Sequence, residues 1–487
     1  MKFFANTIRI KAEENNSNIY IGNHSFNGGS FYGTSDEFEP FKNQFDSISG
    51  PHPSISTIIP KPPKPPSHVS KVKPEMGDDF NQIMAHIKQQ GGNPYLVGGF
   101  VRDHLQGMKP KDKDVEVYGM DASKLDKILK QYGRTDDVGA SFGVKKFTHP
   151  NGDDYDFSLP RRENKQGQGH KGFQVDVDPT MTTEEGSSRR DFTHGSMMMD
   201  PLTGQIIDHH GGLQDLKDKT LRHTGPAFAE DPLRVLRGMQ FAARFGHKMH
   251  PETAKLSRNL SSEYNTLSDD RIMTEWQKMA QKGEIPSMGL KVLQDTGWDE
   301  HYPELAGRMG PDKMKAVDEI AKQMKSRVMS NEDKNVLFFT TLTNDMTPEE
   351  SASFLHRVKM PQPVQKRVAA LKRGLESPHI HSGNSSRANV YNLAHTITPE
   401  NVDNLTEVLR SIDHPRAQNI ADTARQYGVH QSAPKPFING DYLKSLGMKP
   451  NREFGEKLKA IYQAQLDGKI NSPEEAMAMA RGDSLVK

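Results

Sequence analysis

The stretch LVGGFVRDHLQGMKPKDKDVEVYG, residues 96–119, joins an apolar run to a Gly-Gly pair, then an Arg-Asp, then an Asp-Lys-Asp that opens an alternating apolar segment. Its first residues read as a short strand, FVRDHLQG as a helix and DVEVYG as a second strand. On that second strand Asp112 and Asp114 would share one face, about 7 Å apart, with Lys113 on the other. Two carboxylates so placed can hold Mg²⁺, which takes oxygen ligands and keeps waters or phosphates in its remaining positions. The same pair also suits a solvated strand start, and the spacing alone does not separate the two readings. Gly98 and Gly99 carry no Cβ, so their backbone can approach a ligand, and the following helix start favours phosphate; a tight turn is the plainer alternative. Arg102 could neutralise a triphosphate or be surface charge.

Outward from this stretch the periods alternate. DDFNQIMAHIKQQGG before it and ASKLDKILKQYG after it are helix-like, giving a β, α, β, α order through the strand-like segments. GVKKFTHP and DDYDFSLP flank the turn NGD as a hairpin, and RRENKQGQGHKG reads as a polar, Gly-rich loop. The expected class is α+β, with a small mixed or antiparallel sheet and helices over residues 76–217. Beyond that the pattern is helical almost throughout, as in DPLRVLRGMQFAARFG and DRIMTEWQKMAQKG. Residues 1–75 are rich in Asn, Ser, Gly and Phe and end in GPHPSISTIIPKPPKPPSHVSKVKPE, whose prolines favour an extended tether.

A chain of 487 residues exceeds what one core usually serves, so several domains are expected. The net charge of +1 means that any binding to nucleic acid must come from local basic faces rather than from a whole-molecule field. With Cys 0, disulfides, thiolate nucleophiles and cysteine-based zinc sites are excluded. The N-terminus has neither a signal-peptide core nor transit character, and no apolar run nears the roughly 20 residues of a membrane span, so a cytoplasmic, non-membrane protein is expected.

Three long segments in order, LVGGFVRDHLQG with KDKDVEV, RRDFTHGSMMMDPLTGQIIDHHGGLQDL and LRHTGPAFAEDPLRVLRGMQFAARFG, resemble the bacterial-type tRNA nucleotidyltransferase and poly(A) polymerase family. The likeness continues through LSDDRIMTEWQKM and LQDTGWDEHYPEL and returns in KPFINGDYLKSLGMKPNREFGEKLKAIYQAQLDGKINSPEEAM. It covers about residues 82 to 305 and 434 to 480. The resemblance implies a nucleotidyltransferase head over 76–217, a helical neck over 218–310, a helical body over 311–432 and a tRNA-contacting tail over 433–487. It also implies that Asp112 and Asp114, with Asp156 as a third acid, hold Mg²⁺ and activate a primer 3′-hydroxyl. Asp154 lies two residues before Asp156 on the same strand face, and Arg161 and Glu163 occupy the family's Arg-x-Glu.

In the family Arg189, Arg190 and Asp191 grip triphosphate and test the ribose. Adjacent arginines offer forked donors to phosphate, and a carboxylate accepts from a sugar hydroxyl. His194, Gly195 and Ser196 stand where the family has Ile-Asn-Ala, which changes the packing behind that pocket. EDPLR would be a helix start in which Glu230 and Arg234 are i,i+4 neighbours, or an ordinary capped start with Pro232 first. Resemblance assigns Asp231 and Arg234, with Arg237 beyond, to reading the Watson–Crick edge of CTP or ATP. Gly211 and Gly212 would form the hinge between head and neck, and His209 and His210 read as structural. Asn344-Asp345 stands where a phosphohydrolase domain would need His-Asp, so hydrolase activity is not expected. HRVKMPQPVQKRVAALKRG is the most basic helical stretch, and Arg357, Lys359, Lys366, Arg367, Lys372 and Arg373 are candidates for tRNA phosphates or for a solvated face. The expected activity is addition or repair of the tRNA 3′ CCA end from CTP and ATP. A poly(A) polymerase, a partial CC- or A-adding enzyme and, from another class, a non-catalytic RNA-binding protein are the alternatives.

Overall fold

The computed structural model describes residues 9–11, 20–22, 73–110, 112–137, 144–165, 173–382 and 386–483. Two compact units divide at Ser67 and His68. In the first, β1 (Arg9–Lys11) and β2 (Tyr20–Gly22) pair antiparallel; the proline-rich tether of residues 50–72 lies outside the described residues.

The second unit begins with the expected alternation: α1 (Asp78–Gln89), β3 (Asn93–Val97), α2 (Gly99–Leu105), β4 (Asp114–Tyr118) and α3 (Ala122–Leu129). Charged β5 (Arg134–Asp137) follows, then the hairpin β6 (Val144–Thr148) and β7 (Asp154–Ser158). A seven-stranded sheet runs β11-β10-β3-β4-β7-β6-β5, its last members by sequence being β10 (Met198–Met199) and β11 (Ile206–Ile207). Only β4 and β7 pair in parallel, which sets Asp114 beside Asp156 and makes the sheet mixed. Val115 through Tyr118 are all buried because β4 is central and covered on both faces.

The polar loop expected at RRENKQGQGHKG is instead partly paired: β8 (Arg161–Lys165) lies antiparallel to β9 (Phe173–Val177), with residues 166–172 between them outside the described residues. Backbone pairing in a two-stranded ribbon needs no apolar run, so composition alone points to a loop there.

Short α4 (Thr183–Ser188) opens on a capping box between Thr182 and Glu185, and α5 (Gly212–Lys217) leads to β12 (Thr220–Leu221), which pairs with β13 (Lys248–Met249). From there helices dominate. α6 (Leu233–Phe245) buries nine of its residues and ends at Gly246, whose φ of 65° suits glycine. It packs on α8 (Asp269–Lys282) and α9 (Pro286–Thr296). A hydrophobic cluster runs from Phe192 to Val429, so residues of both the expected neck and the expected body share it. Separate clusters hold the sheet domain, around Phe80, Val115 and Phe157, and the last helices, around Leu443 and Ile461. Each large apolar side chain buried in these cores contributes roughly 1.5–3 kcal/mol. No described helix is long and apolar enough to cross a membrane.

Candidate functional site

The cleft that gathers the sequence motifs has a volume of about 1350 Å³ and is lined by residues of the sheet domain and of α6 and α8. That exceeds the roughly 300–1,000 Å³ of a small-ligand pocket, leaving room for a nucleotide and a second group. The acids are among its lining residues. Strand β4 starts at Asp114, with Asp112 just ahead of it, and both line the cleft. Asp156 joins them from β7, its amide donating to the Lys113 carbonyl at 3.1 Å. Burial, then the Asp156 carboxylate, raises the Asp114 pKa, while Arg190 draws it down. Asp154 turns instead to Thr148, accepting its hydroxyl proton at 2.7 Å. Arg161 lines the cleft; the Glu163 side chain lies outside what is described.

Gly98 has φ 64° and ψ −128°, a left-handed turn that aims the chain from β3 into α2. Arg102 lines the cleft together with Gly98 and Gly99. It is 6% exposed, donates to Asp103 at 2.6 and 2.8 Å, and lies over the Phe245 ring at 4.4 Å, bracing α2 against α6.

The Arg-Arg-Asp motif is held by three different partners. Arg189 donates to Glu230 at 2.6 Å and Arg190 to Glu116 at 2.5 Å, while Asp191 accepts from Arg237 Nε at 2.7 Å. Burial alone would raise the Asp191 carboxyl, but Arg237 and the Phe192 amide hold it near 2, so it is an acceptor at any physiological pH. Arg237 is therefore the partner of Asp191, and it too lines the cleft. His194 is fully buried with both ring nitrogens unpartnered and stacks parallel to Phe192 at 5.9 Å. Burial and the Arg102 charge lower its pKa to about 3, so it behaves as a neutral packing ring.

EDPLR is not one helical turn. Glu230 ends a 3₁₀ turn, Asp231 is extended, and α6 begins at Leu233, so Glu230 and Arg234 are not the i,i+4 pair a helix would make. Asp231 Oδ1 accepts from the Leu233 amide at 3.2 Å, as a cap does, and the carboxylate also accepts from Arg271 at 2.6 Å. Arg234 donates to the carbonyls of Ala227 at 2.6 Å and Arg189 at 2.9 Å, so motif backbone splints its guanidinium at the cleft wall. Arg271 and Glu116 are the site residues that motif reading missed. Glu116 had a signal, a charge inside an otherwise apolar strand; Arg271 had only its place on the polar side of a helix whose other face is Ile272, Trp276 and Met279.

Gly211 and Gly212 differ. Gly211 has φ 77° and open space around it, whereas a Cβ on Gly212 would collide with the Thr193 carbonyl, so Gly212 is a packing glycine. His209 and His210 bond the hydroxyls of Thr183 and Ser187, each at 2.9 Å, tying this loop to α4.

The basic stretch read as either RNA-facing or solvated lies on α12 (Pro348–Arg357), α13 (Gln362–Leu375) and the turn between them, after α10 (Pro311–Lys325) and α11 (Asn331–Leu342); Lys372 is buried, Arg357, Lys359 and Arg367 are half-buried, and Arg373 is exposed. Lys372 is 2% exposed and donates to the carbonyls of Thr343, Asn344 and Met346. Arg367 bonds Glu332, Asp333 and Glu400, Arg357 bonds Glu304, Lys359 pairs with Asp269, and Arg373 donates to the Thr396 and Thr398 carbonyls. Lys366 is exposed. Asp345 of the Asn-Asp turn is tied to Lys313 at 2.6 Å.

Comparison with known proteins agrees with this arrangement. Residues 94–222 match the poly(A) polymerase head domain, and residues 327–480 match tRNA nucleotidyltransferase domain 2. A multifunctional CCA protein of Xanthomonas campestris is 42% identical over 209 residues, 42% of this chain and 48% of that protein. The one from Stenotrophomonas maltophilia R551-3 is 35% identical over 300 residues, 57% of this chain and 71% of that protein. The chain thus spans about half the length of the Xanthomonas relatives it matches. The fold is that of a Bacillus stearothermophilus CCA-adding enzyme solved with CTP, at 22% identity and a TM-score of 0.64, covering 84% of this chain and 98% of that one. A Thermotoga maritima CCA-adding enzyme complexed with tRNA gives a TM-score of 0.60 at 19% identity, covering 85% of this chain and 96% of that one. The chain belongs to the bacterial-type tRNA nucleotidyltransferase and poly(A) polymerase family.

Proposed function

We propose that this protein is a template-independent nucleotidyltransferase that adds or repairs the 3′-terminal CCA of tRNA from CTP and ATP, releasing pyrophosphate. One observation carries the reading: a single cleft is lined by Asp112, Asp114 and Asp156, by Asp231 and Arg234, and by Arg189, Arg190 and Asp191. The relatives are named CCA proteins and the fold relatives were solved with CTP or tRNA, which supports the substrate class.

The acidic edge suits Mg²⁺. Its donors are carboxylate oxygens, and Asp114 carries a pKa raised by burial and by Asp156, so a cation there would relieve repulsion. Among the described residues no three His, Asp or Glu side chains are set closely enough to hold an ion by themselves; Mg²⁺ keeps waters and phosphates among its ligands. Bound to Asp112, Asp114 and Asp156, the ion would supply positive charge to the entering hydroxyl and the departing pyrophosphate.

The chain's own residues do the rest. Arg190 and Arg189 offer guanidinium donors to the triphosphate, and Asp191, fixed as a carboxylate by Arg237, accepts from a ribose hydroxyl. Asp231 presents an acceptor and Arg234 a donor to the base edge, so protein side chains take the place of a template. The tRNA 3′-hydroxyl attacks the α-phosphorus, the bond to the β-phosphate oxygen breaks, and pyrophosphate leaves. A chain without cysteine fits a reducing, cytoplasmic setting.

Incubating the protein with tRNA transcripts ending at the discriminator base, after C or after CC, with CTP, ATP or both and Mg²⁺, tests the reading. Completion to CCA from each end supports it. Long A tails on unrelated RNA would identify a poly(A) polymerase, arrest after CC or extension of CC ends alone a partial enzyme, and no incorporation would overturn the enzymatic reading.

A further inference from the structure

Glu116 lies two residues beyond Asp114 in the covered middle of β4 and is only 7% exposed. A buried carboxylate needs partners, and this one has two. Its Oε1 accepts from the Tyr118 hydroxyl at 2.5 Å, and its Oε2 accepts from Arg190 Nη2 at 2.5 Å. Strand alternation puts Glu116 and Tyr118 on one face of β4, so the brace and the braced group come from the same pleat. Burial, and then the Glu116 carboxylate, keep the Tyr118 proton on well beyond the phenol range, so the hydroxyl remains a donor.

The opposite wall is shaped to match. Gly186 lies within α4, where glycine ordinarily weakens a helix, yet a Cβ there would strike the Tyr118 hydroxyl and lie 3.3 Å from Glu116 Oε1. The other arm of Arg190, Nη1, sits 3.5 Å from where a Cβ on Gly98 would stand, beside the left-handed turn. Glu116 thus takes one arm of the guanidinium and leaves the other at the glycine turn.

We propose that Glu116 is a positioning residue for the triphosphate: braced by Tyr118 and given room by Gly186, it fixes Arg190 so that its second arm meets the phosphates at the Gly98 turn. This rests on reading the cleft as a nucleotide site. Because the triphosphate is common to both substrates, Glu116 governs CTP and ATP equally and leaves the choice of base to Asp231 and Arg234.

The test is calorimetric titration of the full chain with CTP, ATP and inorganic tripolyphosphate. The variants are Glu116→Gln, Tyr118→Phe, Arg190→Ala and the Glu116→Gln/Arg190→Ala double. Glu116→Gln is expected to weaken all three ligands about tenfold, and Tyr118→Phe about threefold in the same direction. In the Arg190→Ala background Glu116→Gln should add less than about twofold, because the residue acts through Arg190. An undiminished effect without Arg190, an effect on one nucleotide only, or no effect would overturn the role of Glu116. Wild-type protein that binds tripolyphosphate in this coupled manner yet adds nothing to tRNA would retire the proposed activity and keep Glu116. CCA addition with uncoupled binding would do the reverse, and absence of any triphosphate binding would overturn both.

Discussion

Two regions of this molecule are rich in arginine and lysine, and they use the charge in opposite ways. On the cleft wall arginines are held by an acid or by backbone carbonyls and still border the cavity: Arg189 by Glu230, Arg190 by Glu116, Arg234 by two carbonyls and Arg271 by Asp231. On α13 the buried Lys372 ties three carbonyls of the 343–346 turn and the half-buried Arg367 gathers three carboxylates, while Lys366 and Arg373 stay exposed. A cation that borders a cavity can exchange or share its partner with a ligand. One buried against carbonyls is fixed, because removing it strands those acceptors. Charge count along a sequence is the same in both cases, and only the partner separates them.

That contrast can be broken at its strongest point first. Asp114→Asn should lower nucleotide addition on the order of 10³-fold or more in a primer-extension assay. The melting temperature should stay level or rise, because the substitution removes the repulsion with Asp156. Addition at wild-type rate would remove the acidic edge from the mechanism. In the body, Lys372→Met should destabilise the fold by roughly 3 kcal/mol in urea unfolding, since it leaves three buried carbonyls without their donor, while tRNA affinity measured at fixed salt stays within about twofold. Weakened tRNA binding without loss of stability would return that stretch to the RNA surface.

The smallest effect belongs to the ring beneath the cleft. His194 has a pKa of about 3 when folded against 6.5 for the free side chain. Its neutral burial therefore stabilises the fold fully above 6.5, and that contribution is lost as pH falls from 6.5 through 3. His194→Phe keeps a stacked ring, removes two unpartnered nitrogens, and should stabilise by about 1–2 kcal/mol at pH 5 and less at pH 7.5. An equal effect at both pH values would show that the imidazole does not titrate in this way.

Much of the fold was legible because local period and buried face agree, as in α1, β3 and β4, and in the hairpin around Asn151-Gly152. β5, with the sequence RTDD, and β8 were not, because an edge strand is defined by backbone pairing that its charged side chains hide. At the site, the identities of the acids and motif arginines could be read from sequence, but their partners could not. Arg190 meets Glu116 across 74 positions, Arg237 meets Asp191 across 46 and Arg271 meets Asp231 across 40. No local pattern encodes such pairs, and the packing of Arg102 was hidden for the same reason: the aromatic rings that cover it come from α6.

The central claim is that side chains in the cleft choose the base, and sequencing the 3′ ends made on tRNA lacking its CCA, with CTP and ATP both present, tests it most directly. Wild-type protein should yield CCA, and Asp231→Asn should still extend the tRNA but with C and A mixed at each position. An unaltered CCA sequence from Asp231→Asn would contradict the account.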